Sequence, residues 1–419
     1  MEKGLNLSPY FKFLQCDDCG KTFMPELSLS TCPHCRGLLD SKYDLSEIKK
    51  TIRLENILER KADVWRWKEF LPIADVTHAV RIGSGGSPLI ACRKLAEWVG
   101  VKELWVKYEG MQPTASLKDR SFAVAVSVAK MLGVQRAITY SSGNAAVSLA
   151  AHASAAGMTG FILVNAWADL AKLGVLNQFS WPVIKLNWTN FSEVEDMLNL
   201  AAVELGLYSF VNFLNPWRHE AYQTYAFENW IDMGRRTPDH EIHPVGTGGG
   251  VMGSWKGWNA LQKTGFIDKL PKMHGAQPAL ACAVVKAYEN GEKEATPSGK
   301  PKETMAEAIA NDIPVAKGKR PLKAVYESGG SMQAISEASM TEAIYRLGAE
   351  GICAEPSGAT SAAAAKQMRE KGIISPHETL VCTVTASGYK QPFATTAKPM
   401  PEIDASLADL KNLLSHYLL

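Results

Sequence analysis

The sequence predicts an α/β protein: open parallel sheets flanked by helices, preceded by a small cysteine ribbon. Three observations carry this prediction. Short β-rich runs alternate with helix-length segments from Leu104 onward. Glycine-rich turns stand where several of those runs end, and two Cys-x2-Cys pairs precede them all. At 419 residues, 46% of them hydrophobic, the chain is long enough for roughly two to three domains with substantial cores.

The ribbon comes first. Cys16, Cys19, Cys32 and Cys35 are spaced as two knuckles, with Gly20 and Gly37 allowing the tight turns. Four such thiolates can close a tetrahedral shell around Zn²⁺ and leave no position open for catalysis, so the site is expected to be structural. Disulfides are the competing reading, and a chain without a secretory signal argues against them. Cys92, Cys282, Cys353 and Cys382 stand alone in apolar surroundings and read as small core residues. A polar, mostly helical connector follows from Tyr43 to Leu71.

Strands are expected at Leu104–Tyr108, Ala137–Tyr140, Gly160–Val164, Val183–Leu186 and Tyr208–Phe213. Between them the pattern predicts helices over Arg120–Leu132, from Ala145 to Gly157, over Asp169–Gln178 and over Glu193–Leu205. Ile242–Val245 reads as a further strand and Asn290–Lys323 as a long irregular connection. In such sheets ligands sit at the carboxyl ends of the strands.

Charge excludes some functions. With 45 basic against 43 acidic residues the formal charge is +2, which gives no electrostatic case for nucleic acid or a membrane and leaves a small molecule as the expected partner. Residues 137–168 carry no Asp, Glu, Lys or Arg, but Ser141, Ser142, Asn144, His152 and Gly157 interrupt the run too often for a membrane span. The amino-terminal residues lack a charged-then-apolar segment, so the cytoplasm is the expected location.

The chemistry concentrates in Pro113-Thr-Ala-Ser-Leu-Lys118-Asp-Arg120 and the later turn Ser141-Ser-Gly-Asn144. A lysine opening one helix and a Gly-Asn turn opening the next can hold an aldehyde cofactor by its reactive carbon and its ring. That points to pyridoxal phosphate, with Lys118 forming the Schiff base. Gly246, Thr247, Gly248, Gly249 and Gly250 lie between a strand and a helix, where backbone N–H groups and the helix dipole favour a phosphate. They lack both the Gly-Lys-Ser/Thr ending and the GxGxxG spacing of nucleotide loops. Thr385, at the end of the run from Thr379, can offer a neutral hydrogen bond; against a pyridine nitrogen this favours elimination and replacement over transamination.

These segments, with Gly83-Ser-Gly-Gly-Ser-Pro-Leu89, Asn215-Pro-Trp-Arg218 and Glu355-Pro-Ser-Gly358, resemble the threonine synthase family. That family lies within the fold type II pyridoxal-phosphate enzymes of the tryptophan-synthase β superfamily. The resemblance implies two open α/β sheet domains with the active site between them. Residues 1–45 would be the ribbon and 46–419 the catalytic region, with a smaller α/β domain nested at about 112–210. It assigns Lys118 the Schiff base, Asn144 the cofactor's phenolic oxygen, Gly246–Gly250 its phosphate and Thr385 its ring nitrogen. Ser141 and Ser142 would hold the substrate carboxylate, Arg218 and Asn212 the phosphate of a phosphorylated amino acid. A homodimer is implied as well.

The chain departs from the family pattern at Ala115, Leu117 and Ser121 around the lysine, and at Ala145, Thr247 and Gln223 where substrate is expected. The second group bears on which amino acid is used, because a methyl at residue 145 cannot replace a hydroxyl's hydrogen bond. The expected reaction is elimination of phosphate from O-phosphohomoserine with addition of water. β-Replacement on O-phosphoserine, as in cysteine- or cysteate-synthase-like enzymes, and deamination of serine or threonine are the alternatives. A ribbon-bearing interaction module with an inactive α/β domain is the non-enzymatic one.

Overall fold

The computed structural model describes residues 6–27, 29–165, 174–187, 191–211, 214–297, 303–310, 315–392 and 401–415. Three sheets organise them. Thr22–Phe23, Phe11–Cys16 and Leu39–Tyr43 form an antiparallel ribbon sheet in that order. Four parallel strands follow in the order Val183–Leu186, Thr159–Asn165, Arg136–Tyr140, Tyr208–Ser209. The third sheet runs Met332–Ile335, Lys272–Pro278, His240–Pro244, Thr379–Val384, Glu103–Tyr108, Leu89–Ala91, parallel except for its antiparallel last strand.

Most of the strands and helices expected from alternation are present, with shifted ends. The lysine helix runs Lys118–Met131 and stops before Gly133, whose φ of 82° suits a left-handed terminus. It is buried continuously from Asp119 to Ala129, because it packs against both the Asn144–Ala155 helix and the 3-10 segment Pro216–Gln223. Of the strand expected over Tyr208–Phe213, Tyr208–Ser209 pairs with the Arg136–Tyr140 strand, and Asn212 and Phe213 lie outside the described residues. Of the helix expected over Asp169–Gln178, residues 169–173 lie outside the described residues, and Gly174–Phe179 is a 3-10 turn. Within Asn290–Lys323 a helix already begins at Lys319, so the irregular stretch is shorter than expected.

One sequence pattern fixes how closely the phosphate-side helix Gly249–Thr264 approaches its neighbours. A Cβ on Gly253 would lie 2.3 Å from Tyr222 Cβ, and one on Gly257 would lie 2.2 Å from the Gln223 carbonyl oxygen. With Gly249 they form a small-residue stripe at one-turn spacing, which lets the helix touch the backbone of the 3-10 segment.

The ribbon does not stand apart. Phe11, Leu14, Cys16, Cys32 and Leu39 share one apolar core with the lysine helix and Trp217. Its cysteine knuckles differ in one respect from expectation. The left-handed turn positions are Gly20 at φ 73° and Arg36 at φ 59°. Gly37 is needed for a different reason: a Cβ there would stand 2.7 Å from Cys16 Sγ. No helix among the described residues is long and apolar enough to cross a membrane.

Candidate active site

The expected site residues follow the carboxyl ends of parallel strands. Ser141 follows Arg136–Tyr140, Gly246 follows His240–Pro244 and Thr385 follows Thr379–Val384. The loop before Lys118 is tied to the last of these ends. Leu117 N donates to the Thr385 carbonyl at 2.8 Å, and Ser387 N to the Ala115 carbonyl at 3.0 Å. Asp119 holds the loop from the other side, accepting from Thr114 N and Thr114 Oγ1 at 2.6 Å each and from Ser148 Oγ at 2.5 Å.

Ala115 has φ 59°, in the left-handed region. A glycine would be free of Cβ strain there, and alanine costs about 1–2 kcal/mol. This chain thus meets the turn's backbone requirement with strain.

Lys118 keeps partial access to the cleft, yet protein surrounds it densely. Burial lowers its amine to about 8; the nearby Arg218 guanidinium pushes the same way and Glu355 opposes. No residue among those described hydrogen-bonds its Nζ. Arg218 is also buried, which lowers it to about 10. Its Nη1 donates to the Phe210 carbonyl at 3.0 Å, its Nε to Ser121 Oγ at 3.2 Å, and its guanidinium lies 4.4 Å over the Phe122 ring. Ser121, one of the departures from the family pattern, therefore has a use.

The other expected residues sort by contact. Asn144 Nδ2 donates to Glu355 Oε2 at 3.3 Å. Ser141 Oγ accepts from Gly143 N at 3.3 Å and shapes the turn that opens the Asn144 helix. Ser142, Gly143 and Asn144 line a cavity of about 430 Å³ with Thr114 and Lys390. A larger cavity of about 930 Å³ runs along the ribbon seam, past Lys42 and Lys256, and includes none of the expected cofactor residues. In the glycine turn, Gly248 caps the helix at φ 87°, and a Cβ there would strike Pro321 Cγ at 2.5 Å. The helix already begins at Gly249, earlier than the sequence pattern indicates. Asn212 lies outside the described residues. Gln223 is buried, with its Nε2 donating to the Phe70 carbonyl at 2.7 Å.

Four contributors are not among the expected site residues. Glu355 is nearly fully buried, accepts from Asn144 Nδ2 and opposes the lowering of the Lys118 amine. Lys390 donates to the Thr114 carbonyl at 2.7 Å and lines the same cavity as Asn144. Both stand in motifs visible in the sequence, but their convergence depends on two distant strand ends. His219, next to Arg218, is buried and held well below its usual range by burial and by Arg320, Arg218 and Lys118. Arg120 anchors the helix to Glu109 and Glu228.

These residues fit pyridoxal phosphate. The Lys118 amine has no hydrogen-bond partner among the described residues, and a turn that tolerates no side chain at Gly248 opens a sixteen-residue helix. The Thr385 hydroxyl has no hydrogen bond among the described residues. The four ribbon thiols also converge, with all Sγ atoms within 4.8 Å and the Cys16–Cys35 and Cys19–Cys32 pairs at 3.4 and 3.6 Å.

Comparison with known proteins agrees. Residues 80–386 match the pyridoxal-phosphate dependent enzyme family. The threonine synthase of Methanocaldococcus jannaschii is 38% identical over 405 residues, covering 96% of this chain and 98% of that protein. That of Methanosarcina acetivorans is 34% identical over 383 residues, covering 90% and 92%. Among solved structures, maize serine racemase superposes with a TM-score of 0.61 at 18% identity, covering 79% of this chain and 92% of that one. The processed form of threonine deaminase isoform 2 from Solanum lycopersicum gives 0.60 at 21%, covering 74% and 87%. These two likenesses speak for the fold. Sequence, site and fold together place the chain in the pyridoxal-phosphate dependent enzymes and, within them, in the threonine synthase family.

Proposed function

We propose that this enzyme expels phosphate from an O-phosphorylated amino acid, converting O-phosphohomoserine and water to threonine and phosphate. The observation that carries the reading is the pairing of a buried amine at about 8 with a buried guanidinium that has no carboxylate partner among the described residues. A deaminase acting on an unphosphorylated amino acid would leave that buried cation without an anion to meet.

Pyridoxal phosphate, when bound, supplies the electron sink that lets the α-proton leave. Lys118 holds the cofactor and, once displaced by substrate, has a neutral amine near pH 8 to take that proton and return one later. Gly246–Gly250 would receive the cofactor phosphate, Asn144 its phenolic oxygen and Thr385 its ring nitrogen. Ser141, Ser142 and the first amides of the Asn144 helix would hold the substrate carboxylate. Arg218, with Asn212, would hold the departing phosphate through paired charge-assisted hydrogen bonds.

A second reading has a specific basis. Ala145 is partly buried against the core and offers no hydroxyl beside the Gly-Asn turn, which suits β-replacement on the shorter O-phosphoserine. The ribbon, residues 1–45, would hold one structural zinc, since its thiol pairs approach the edge of about 3.8 Å that a tetrahedron of Zn–S bonds requires. The nested domain at about 112–210, a homodimer and a cytoplasmic location complete the proposal.

The test is phosphate release from O-phosphohomoserine and O-phosphoserine by the parent and by Arg218→Ala. Losing a charge-assisted contact removes about 1.5–3 kcal/mol, so efficiency falls at least about tenfold while the cofactor stays bound. Equal turnover by both proteins, with no inhibition by inorganic phosphate, would move the assignment to deamination.

A further inference from the structure

A partly buried polar chain ties the ribbon to the segment that carries Arg218. Tyr43, in the last ribbon strand, donates its hydroxyl to Glu220 Oε2 at 2.8 Å. Glu220 Oε1 accepts from Lys256 Nζ at 2.8 Å, and the same ammonium donates to Asp40 Oδ1 and to the Ser41 carbonyl, each at 2.9 Å. Glu220 sits just after Arg218 in the segment Pro216–Gln223, and Lys256 belongs to the helix that opens at the glycine turn. The last ribbon strand, the segment Pro216–Gln223 and the helix that opens at the glycine turn thus meet around one carboxylate that is 1% exposed.

Arg218 is poorly anchored on its own account: one carbonyl, one hydroxyl and the face of Phe122. Its position comes from the backbone that carries it. That backbone is a 3-10 run of eight residues, longer than such runs hold by themselves, so outside ties must keep it. The lysine helix and the Gly249–Thr264 helix pack along it, and its side-chain ties include Glu220 to Tyr43 and Lys256, Trp217 to Phe11 with ring centroids 6.0 Å apart, and Gln223 to the Phe70 carbonyl. Two of these side-chain ties end on the ribbon.

We propose that Tyr43 and Glu220 are positioning residues for the substrate's phosphate: the ribbon sets where the Arg218 guanidinium stands and thereby tunes affinity for the phosphorylated substrate without touching it. The proposal rests on the reading that Arg218 receives this phosphate. Burial and the adjacent Glu220 carboxylate hold the Tyr43 phenol well above its usual range, so it stays a donor throughout the working pH.

Tyr43→Phe keeps the ring against Phe11 and removes only the donor; Glu220→Gln keeps the shape and removes the charge that Lys256 meets. In holoenzyme, each should weaken competitive inhibition by inorganic phosphate and raise KM about tenfold. kcat should stay within about twofold, and the cofactor's absorbance band should not change. Unchanged phosphate inhibition with a lowered melting temperature in a folded variant would show a purely structural clamp and overturn the proposal. Should Tyr43→Phe fail to fold, Glu220→Gln decides by the same readouts. Arg218→Ala separates the two claims. If it leaves phosphate inhibition intact, the phosphate reading falls and takes the positioning role with it. If it weakens inhibition while Tyr43→Phe and Glu220→Gln do not, the positioning role alone is wrong.

Discussion

Lys118 and Arg120 share the first turn of one helix and live in opposite electrostatic settings. Arg120 meets two carboxylates and two hydroxyls: Glu109 at 2.8 Å, Glu228 at 2.5 and 2.7 Å, Thr224 at 2.7 Å and Ser87 at 2.8 Å. Lys107 adds a second cation on Glu228 at 2.8 Å, so two positive and two negative groups balance in the interior. Burial alone would lower Arg120, but Glu109 and Glu228 hold it well above its usual range. Lys118 has burial and Arg218 acting in one direction and only Glu355 in the other. A balanced cluster is a structural joint. An unbalanced one stores reactivity, and here it holds an amine close to neutrality.

The comparison breaks most visibly on deletion. Arg120→Met leaves two buried carboxylates short of a cation and should destabilise the fold by about 3–5 kcal/mol. Lys118→Ala should change stability by no more than about 1 kcal/mol while abolishing the cofactor's covalent link. Denaturant unfolding followed with and without cofactor checks both; equal losses would erase the distinction.

A smaller effect sharpens it. Because the folded-state pKa of Lys118 is lowered, its neutral amine is present above about 8 and is lost as pH falls through that value. Recombination of the stripped protein with pyridoxal phosphate should therefore quicken with pH and level off above about 8. Glu355→Gln removes the one opposing charge and should move the midpoint lower. A midpoint near the ordinary lysine value of 10.5 would contradict the account.

The smallest expected effect lies just before the lysine. Ala115→Gly relieves a left-handed alanine, and its gain of up to about 1 kcal/mol is partly offset by the freer unfolded chain. Thermal unfolding of the variant measures the difference, and a clear loss of stability would show that the alanine methyl packs usefully.

The site is legible in the sequence where chemistry and backbone need coincide in adjacent residues. Lys118 stands at a helix start, Gly248 at a positive φ, Thr385 at a strand end, and each leaves a local pattern. Partnerships across the fold leave none. Glu355 meets Asn144, and Glu228 meets Arg120, only because separate strand ends and helices converge. Gly37 reads as a turn glycine but is small to admit Cys16 Sγ, while Arg36 takes the left-handed turn without any compositional sign. Gln223 reads as a substrate-pocket change, and its Nε2 donates to the Phe70 carbonyl.

The claim that Lys118 is the lysine poised to hold the cofactor has a direct test. Borohydride reduction of the holoenzyme, followed by peptide mass spectrometry, should place the reduced pyridoxyl group on Lys118. Labelling of Lys390, which lines the neighbouring cavity, or of Lys256 on the ribbon seam, with Lys118 unmodified, would contradict the account.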